Sequence, residues 1–126
     1  MSATTPERGR RDGATLTVEE VAGAAVLHVG GELDLLTVPD LQARVYEAIG
    51  ATSGAVVADL TEVQFLSSTG LNLLLGLQSD LAAAARPLRL VVGGSKAVNR
   101  PLLITGLDRF LELHPDLDAA LAADHR

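Results

Sequence analysis

Residues 65–71 read Phe-Leu-Ser-Ser-Thr-Gly-Leu and place three consecutive hydroxyl side chains directly before a Leu-rich segment. A Ser or Thr ahead of an apolar run with helical spacing is typical of a helix N-cap, for which one hydroxyl is enough. Gly70 falls in the first turn, where glycine costs about 1 kcal/mol relative to alanine, so we expect a close backbone approach there. An ordinary helix start explains the stretch taken by itself, although the free N–H groups of such a start also favour a phosphate.

Strand and helix patterns alternate on both sides of this stretch. Residues 55–58 form a short apolar run that is typical of a strand buried on both faces. Leucines recur at helical spacing from Leu71 to Leu81, and Pro87 then prevents the helix from continuing. Pro101, inside a later helical pattern, predicts a late start or a kink. The other predicted elements are strands at 15–19, 24–29, 88–92 and 110–113, and helices over 37–50, 95–106 and 115–121.

This order of elements predicts an α/β (or α+β) fold in which an initial antiparallel hairpin joins a mixed sheet. The chain has 126 residues, which suits one domain, and we place that domain at 15–123 behind a flexible N-terminal tail at 1–14. Aromatic residues make up only 2% of the chain, so the core has to be built from Leu, Val, Ile and Ala.

Charge and composition exclude several classes of function. A net charge of −6 at pH 7 has the wrong sign for binding the phosphate backbone of a nucleic acid. The lack of Cys excludes disulfides and thiolate metal sites. The chain has no apolar run long enough to cross a bilayer and no secretory signal, so we expect a cytoplasmic protein without a membrane partner. We also expect a monomer with no metal or other cofactor.

Other polar residues are weaker candidates for a site. Glu32 and Asp34 lie just past the second predicted strand, where sheet proteins often place functional side chains, although a charged turn explains them as well. Asp59 follows the third predicted strand and is interpreted as a cap or turn residue. The histidines lack the paired spacing of metal ligands and are interpreted as structural; they are His28, His114 and His125.

Four groups of residues occur along the chain in a distinctive order. They are Gly-Glu-Leu-Asp at 31–34, Asp-Leu with Val63 and Phe65 at 59–65, Ser-Ser-Thr-Gly-Leu at 67–71, and Thr-Gly-Leu-Asp at 105–108 between Val98 and Phe110. In this order they resemble the STAS domain family, and more narrowly its bacterial anti-sigma factor antagonists. The resemblance covers about residues 15–123. It implies a mixed sheet with helices packed on one face, in the order β-β-α-β-α-β-α-β-α that the patterns alone predict.

The resemblance also implies roles for individual residues. In the family, the helix after the third strand begins with an acid, a phosphorylatable Ser, a Ser or Thr, a Gly and an aliphatic residue. Ser68 matches the acceptor, while Ser67 stands where the acid is usual, which leaves Ser67 and Thr69 as alternative acceptors. Asp34 matches the family's acid beside the acceptor. The expected partner surface consists of Glu32, Asp34, Ser67, Ser68, Thr69, Gly70 and Asn72.

The implied function is partner switching by a protein that is not an enzyme. The unphosphorylated chain would bind an anti-sigma factor that is also a Ser/Thr kinase, phosphorylation of Ser68 would end that binding, and a phosphatase would restore it. Two alternatives stay open at this stage. One is a STAS scaffold or transporter-accessory protein without a role in sigma-factor regulation. The other is a small enzyme that uses Ser68 as nucleophile with Asp34 and either His28 or His114.

Overall fold

A five-stranded mixed sheet forms the centre of the fold, and its strands lie in chain order. The structure is a computed structural model that describes residues 13–123. The first two strands are antiparallel, and every later neighbouring pair is parallel. The strands are β1 (Ala14–Val21), β2 (Ala24–Leu33), β3 (Val56–Leu66), β4 (Leu88–Val91) and β5 (Glu112–His114), and the helices are α1 (Val38–Gly50), α2 (Ser68–Ala83), α3 (Lys96–Thr105) and α4 (Leu117–Ala122).

The order of elements confirms the predicted topology. The predicted tail at 1–14 lies outside the described residues except for its last two positions, and β1 begins at Ala14. No aromatic side chain is fully buried, and the core consists of Leu, Val, Ile and Ala as expected. Within residues 13–123, no helix is long and apolar enough to cross a membrane.

Strand β3 is longer than its sequence pattern predicts. Its run of buried residues was expected to end near Ala58, but the strand continues to Leu66. Asp59 does not end the strand because it lies level with His28 of β2 and hydrogen-bonds to that ring. The extension sets the last residues of β2 and β3, Leu33 and Leu66, side by side. The turn after β2 therefore lies next to the start of α2.

Three helices cover one face of the sheet, and the fourth covers part of the other. The large core on the first face joins alternate strand residues such as Ala25, Leu27 and Val56 to buried positions of α1, α2 and α3. Strand residues whose side chains point to the other face of the sheet pack against Ala120 of α4. They are Val26, Val57 and Val91. The expectation of helices on one face therefore holds for α1–α3 only, because the short apolar stripe of α4 pairs with these three valines.

The C-terminal third differs from the sequence prediction in detail. Helix α3 continues across Pro101 to a left-handed C-cap at Gly106, where φ is 77°. A short 3₁₀ turn, Leu107–Arg109, follows, and the last strand begins at Glu112, two residues later than predicted. Phe110 was expected in that strand but is 70% exposed. Proline at 101 has no N–H, so the carbonyl of Ala97 lacks its usual helical donor.

Candidate functional site

Ser67 caps helix α2 and joins it to the end of β2. Its Oγ accepts a hydrogen bond from the Gly70 N–H at 3.3 Å and donates one to the Leu33 carbonyl at 2.8 Å. The Ser67 N–H donates to the same carbonyl at 3.0 Å. The side chain is half-buried. This hydroxyl therefore both donates and accepts a hydrogen bond inside the protein.

Ser68 is the first residue of α2 and is exposed to solvent. Among the described residues its hydroxyl has no hydrogen-bond partner. The N–H groups of a first helical turn and the helix dipole favour an anion at this position. A phosphate on Ser68 would break no existing contact, whereas one on Ser67 would remove the cap. Thr69, the next residue, is partly buried.

Gly70 lets the backbone of α2 pass close to β2 and β3. A Cβ at this position would lie 2.6 Å from Leu66 Cδ1 and 3.0 Å from Leu33 Cβ. Both of these leucines are buried in the core, and the backbone carbonyl oxygen of Leu33 would lie only 3.2 Å from the same Cβ. The close approach expected from the sequence is confirmed, and it fixes the position of Ser68 relative to the end of β2.

Asp34 shapes the turn between β2 and α1. Its Oδ1 accepts the N–H groups of Leu36 at 2.9 Å and Thr37 at 3.1 Å, while Thr37 Oγ1 accepts the Asp34 N–H at 3.0 Å. Thr37 also donates to the Glu32 carbonyl at 2.6 Å. These bonds hold the turn in a fixed form. Asp34 is thus a structural residue of the turn, and it directly follows Leu33, whose carbonyl is bonded to Ser67.

The same turn exposes two apolar side chains that the sequence patterns did not identify. Leu35 is 72% exposed and Leu36 is 87% exposed. The Asp34 and Thr37 hydrogen bonds present them to solvent instead of to the core. Their exposure depends on the three-dimensional path of the turn, and adjacent leucines carry no periodicity that would reveal it. Exposed apolar side chains that cluster near a polar site are typical of interaction surfaces.

The other predicted surface residues surround this centre. Glu32 is half-buried in β2, level with Phe65 of β3, and Phe65 is 51% exposed. Asn72 is exposed on α2 four residues after Ser68, so the two side chains share a helix face. Asp59 is placed elsewhere, because its bond to His28 holds it in the middle of β3.

The histidines take no part in this site. His28 Nε2 lies 2.7 Å from Glu19 Oε2, and His28 Nδ1 lies 3.1 Å from Asp59 Oδ2. His114 Nε2 lies 2.7 Å from Glu112 Oε2, and His125 is outside the described residues. Within residues 13–123, no group of three or more His, Asp or Glu side chains could hold a metal ion.

Two of these paired groups have displaced pKa values. The hydrogen bond to Glu19 raises the pKa of His28, against the opposing effect of burial and with support from Asp59. Burial alone would raise the pKa of Asp59, but hydrogen bonds from Thr61 and His28 outweigh it and hold that pKa below its ordinary value. Each pKa shift favours the charged form of its own group, which suits a structural role for the pair.

Comparison with known proteins places the chain and its fold in one family. The STAS domain model matches residues 15–120. The anti-sigma-F factor antagonist RsfB of Mycobacterium tuberculosis is 36% identical over 110 residues, which are 87% of this chain and 88% of RsfB. The crystal structure of an anti-sigma factor antagonist from Mycobacterium paratuberculosis superposes with a TM-score of 0.80 at 35% identity, covering 89% of this chain and 94% of the other.

A more distant structure shows the same fold. The Bacillus cell fate determinant SpoIIAA in its phosphorylated form matches with a TM-score of 0.64 at 24% identity, over 87% of this chain and all of SpoIIAA (100%). The chain belongs to the STAS domain family. Within that family it is similar over most of its length to anti-sigma factor antagonists.

Proposed function

We propose that this protein is an anti-sigma factor antagonist that works by partner switching. Unphosphorylated, it binds a cognate anti-sigma factor that is also a Ser/Thr kinase and so frees a sigma factor. The kinase then phosphorylates Ser68, the complex separates, and a phosphatase restores the binding form. The observation that carries this proposal is the exposed hydroxyl of Ser68 at the start of α2, which has no hydrogen-bond partner within residues 13–123.

The surroundings of Ser68 suit a docking surface. Leu35 and Leu36 supply exposed apolar area on the turn that Ser67 ties to α2 through the Leu33 carbonyl. Asp34 and Glu32 add negative charge at the two positions that flank Leu33. A partner that covers these side chains would place its own groups against Ser68. A phosphate there would act on the complex without disturbing the core.

The size of the electrostatic effect is sufficient for a switch. A phosphoserine carries about −1.5 to −2 charges near neutral pH. Two unit charges about 4 Å apart interact by about 4 kcal/mol at an effective dielectric constant near 20. Weakening a complex about a hundredfold requires only about 2.8 kcal/mol. One contact between like charges in the interface is therefore enough to separate the partners.

Ser67 explains how the site keeps its shape without the acid that is usual in the family. Asp and Ser are both good N-cap residues, and Ser67 caps α2 through the Gly70 N–H. The substitution preserves the geometry and removes one negative charge beside the acceptor. Replacing Ser67 with Asp would keep the cap and show whether that charge affects the kinase, measured as the rate of phosphate transfer.

Binding and labelling of Ser68 variants test the proposal. Kinase-type anti-sigma factors from the same genome are titrated with the wild type, Ser68→Ala and Ser68→Asp in a calorimeter, and each variant is incubated with the kinase and labelled ATP. We expect the wild type and Ser68→Ala to bind, Ser68→Asp to bind about a hundredfold more weakly, and Ser68→Ala to take up no label.

A matched control separates a local effect from a change in net charge. Ser53 is exposed in the loop before β3, at the opposite end of that strand from Ser68. Ser53→Asp adds the same charge and should bind like the wild type. Tight binding by Ser68→Asp, together with normal labelling of Ser68→Ala, would contradict the assignment.

A further inference from the structure

A groove of about 460 Å³ lies between the end of β3 and helix α3. Phe65 of β3 forms one wall, and Ala97, Pro101 and Ile104 of α3 form the other. Phe65 is 51% exposed and Ile104 is 81% exposed. The groove is therefore an open apolar surface that the fold of residues 13–123 does not cover.

Helix α3 has two apolar stripes, and only one of them is used by the core. Val98 and Leu102 are fully buried against the sheet. Ala97, Pro101 and Ile104 recur at i, i+4 and i+7, which places them together on a neighbouring stripe that lines the groove. A single exposed apolar residue is ordinary, but a grouped set facing an exposed Phe is typical of a binding groove.

Two cationic side chains line this groove, and none of the carboxylates within residues 13–123 does. Lys96 and Arg100 are one helical turn apart on α3, and both are exposed. In the described part of the chain, Arg44 pairs with Asp40, Arg89 pairs with Glu112, and Arg86 bonds to loop oxygens. Lys96, Arg100 and Arg109 have no such partner there. The chain has a net charge of −6, yet two cationic side chains that lack an acidic partner within residues 13–123 lie beside the same apolar groove.

The groove is continuous with the proposed docking surface. Leu66 lines the groove and also lies against Gly70, the residue two positions after Ser68. Phe65 lies level with Glu32, which belongs to the predicted partner surface. A protein that docks over Ser68 would therefore lie next to the groove, and one binding mode could cover both.

We infer that this groove binds a segment of the anti-sigma factor that carries apolar side chains flanked by carboxylates. The apolar side chains would fill the space between Phe65 and Ile104, and the carboxylates would pair with Lys96 and Arg100. The groove supplies affinity and partner choice, whereas Ser68 supplies the switch. The identity of the partner rests on the proposed function, but the acidic and apolar character of the ligand rests on the groove alone.

Charge reversal at the groove is the first test. The double variant Lys96→Glu, Arg100→Glu should bind the anti-sigma factor about tenfold more weakly than the wild type, which corresponds to about 1.4 kcal/mol. The control Arg44→Glu, Arg109→Glu makes the same change in net charge outside the groove and should bind within about twofold of the wild type. Equal weakening of both double variants would overturn the inference.

Neighbouring apolar residues of α3 provide a second matched pair. Ile104 lines the groove, whereas Leu103 is 64% exposed and lies outside it. Ile104→Ser should weaken binding, and Leu103→Ser should leave it unchanged. Both positions are exposed, so neither change should affect folding. Unchanged binding by Ile104→Ser would contradict a role for the groove.

A synthetic peptide separates failure of this inference from failure of the proposed function. The probe has Leu-Phe flanked on each side by two Glu residues, and its control carries Lys in place of Glu. Titration into ¹⁵N-labelled wild type should shift the amide signals of residues 64–66, 96–100 and 102–105 with the acidic peptide only, and should shift none in Lys96→Glu, Arg100→Glu. Such shifts would support binding of an acidic, apolar segment in the groove even if no anti-sigma factor binds to the wild type.

Two further results would overturn the inference. One is an equal response of the wild type to the acidic peptide and to the lysine control. The other is a concentration-dependent dimer in size-exclusion chromatography that Ile104→Ser abolishes, because the groove would then be covered by a second copy of this chain.

Discussion

Two clusters of polar side chains in this molecule differ in how completely their groups are paired. In the sheet, both ring nitrogens of His28 and both carboxylate oxygens of Asp59 have partners, supplied by Glu19, Thr61 and each other. At the start of α2, the Ser67 hydroxyl both donates and accepts a hydrogen bond, but Ser68 beside it has no partner among the described residues. Fully paired groups stabilise a fold, whereas a free hydroxyl on a rigid support is available to a second protein.

The largest expected effect concerns the rigid support itself. Gly70→Ala should lower the free energy of unfolding by about 1–3 kcal/mol, because the new Cβ would overlap with the buried Leu66 and Leu33 side chains. Gly76→Ala in the same helix is the control. A Cβ there would lie 3.9 Å from the Tyr46 hydroxyl, so only the gain in helix propensity of about 0.5–1 kcal/mol remains.

Urea denaturation of both glycine variants measures this difference. We expect the midpoint to fall for Gly70→Ala and to rise for Gly76→Ala. A rise for both variants would mean that the start of α2 tolerates movement. The claim that Ser68 has a fixed position would then be wrong, and the comparison between the two clusters depends on that claim.

The adjacent serines should differ in stability. Ser67→Ala removes the N-cap and the bond to the Leu33 carbonyl, and should cost about 1–2 kcal/mol of unfolding free energy. Ser68→Ala removes an exposed hydroxyl that has no partner in the described chain, and should change stability by less than about 0.5 kcal/mol. Thermal unfolding measures both, and equal losses would contradict the distinction between the two residues.

The smallest effect is a pH dependence of the His28 cluster. The pKa of His28 is raised above 6.5 by its contacts with Glu19 and Asp59. A raised pKa in the folded state means that the protonated ring stabilises the fold. This contribution is complete below about pH 6.5 and disappears as the pH rises through the higher pKa of the folded protein. For partly exposed pairs it amounts to about 0.2–1 kcal/mol.

The variant His28→Gln tests this sign. Its unfolding free energy should fall below that of the wild type at low pH and approach it at high pH, as measured by denaturation across that range. Binding to the anti-sigma factor should be the same for both proteins, because His28 lies outside the docking surface. A change in binding without a change in stability would assign a functional role to the cluster and remove the contrast with Ser68.

The order of strands and helices was predictable because each element carries a local signal. Alternation in β1, the leucine spacing of α2 and the stops at Pro87 and Gly106 all depend on neighbours along the chain. The extent of β3 was not predictable in this way. Asp59 looks like the end of a strand, and only its contact with His28, 31 residues earlier in the chain, shows that the strand continues.

The site was predictable in part. The hydroxyl run and Gly70 marked a helix start with a close approach, and the resemblance to the STAS family singled out Ser68. The distinction between Ser67, which is bonded, and Ser68, which has no partner in the described part of the chain, requires the Leu33 carbonyl of strand β2. The exposed Leu35 and Leu36 and the groove beside Ile104 also depend on contacts between distant segments, so the sequence pattern gave no sign of them.

Mass spectrometry of the protein isolated from its native cells tests the central claim most directly. Fragment spectra of the peptide that contains residues 67–69 distinguish the three hydroxyl groups. The account predicts that the phosphate is on Ser68, with none on Ser67, whose hydroxyl is held inside the fold, and none on Thr69. Phosphate on either neighbour while Ser68 stays unmodified, under conditions in which the partner kinase is active, would contradict it.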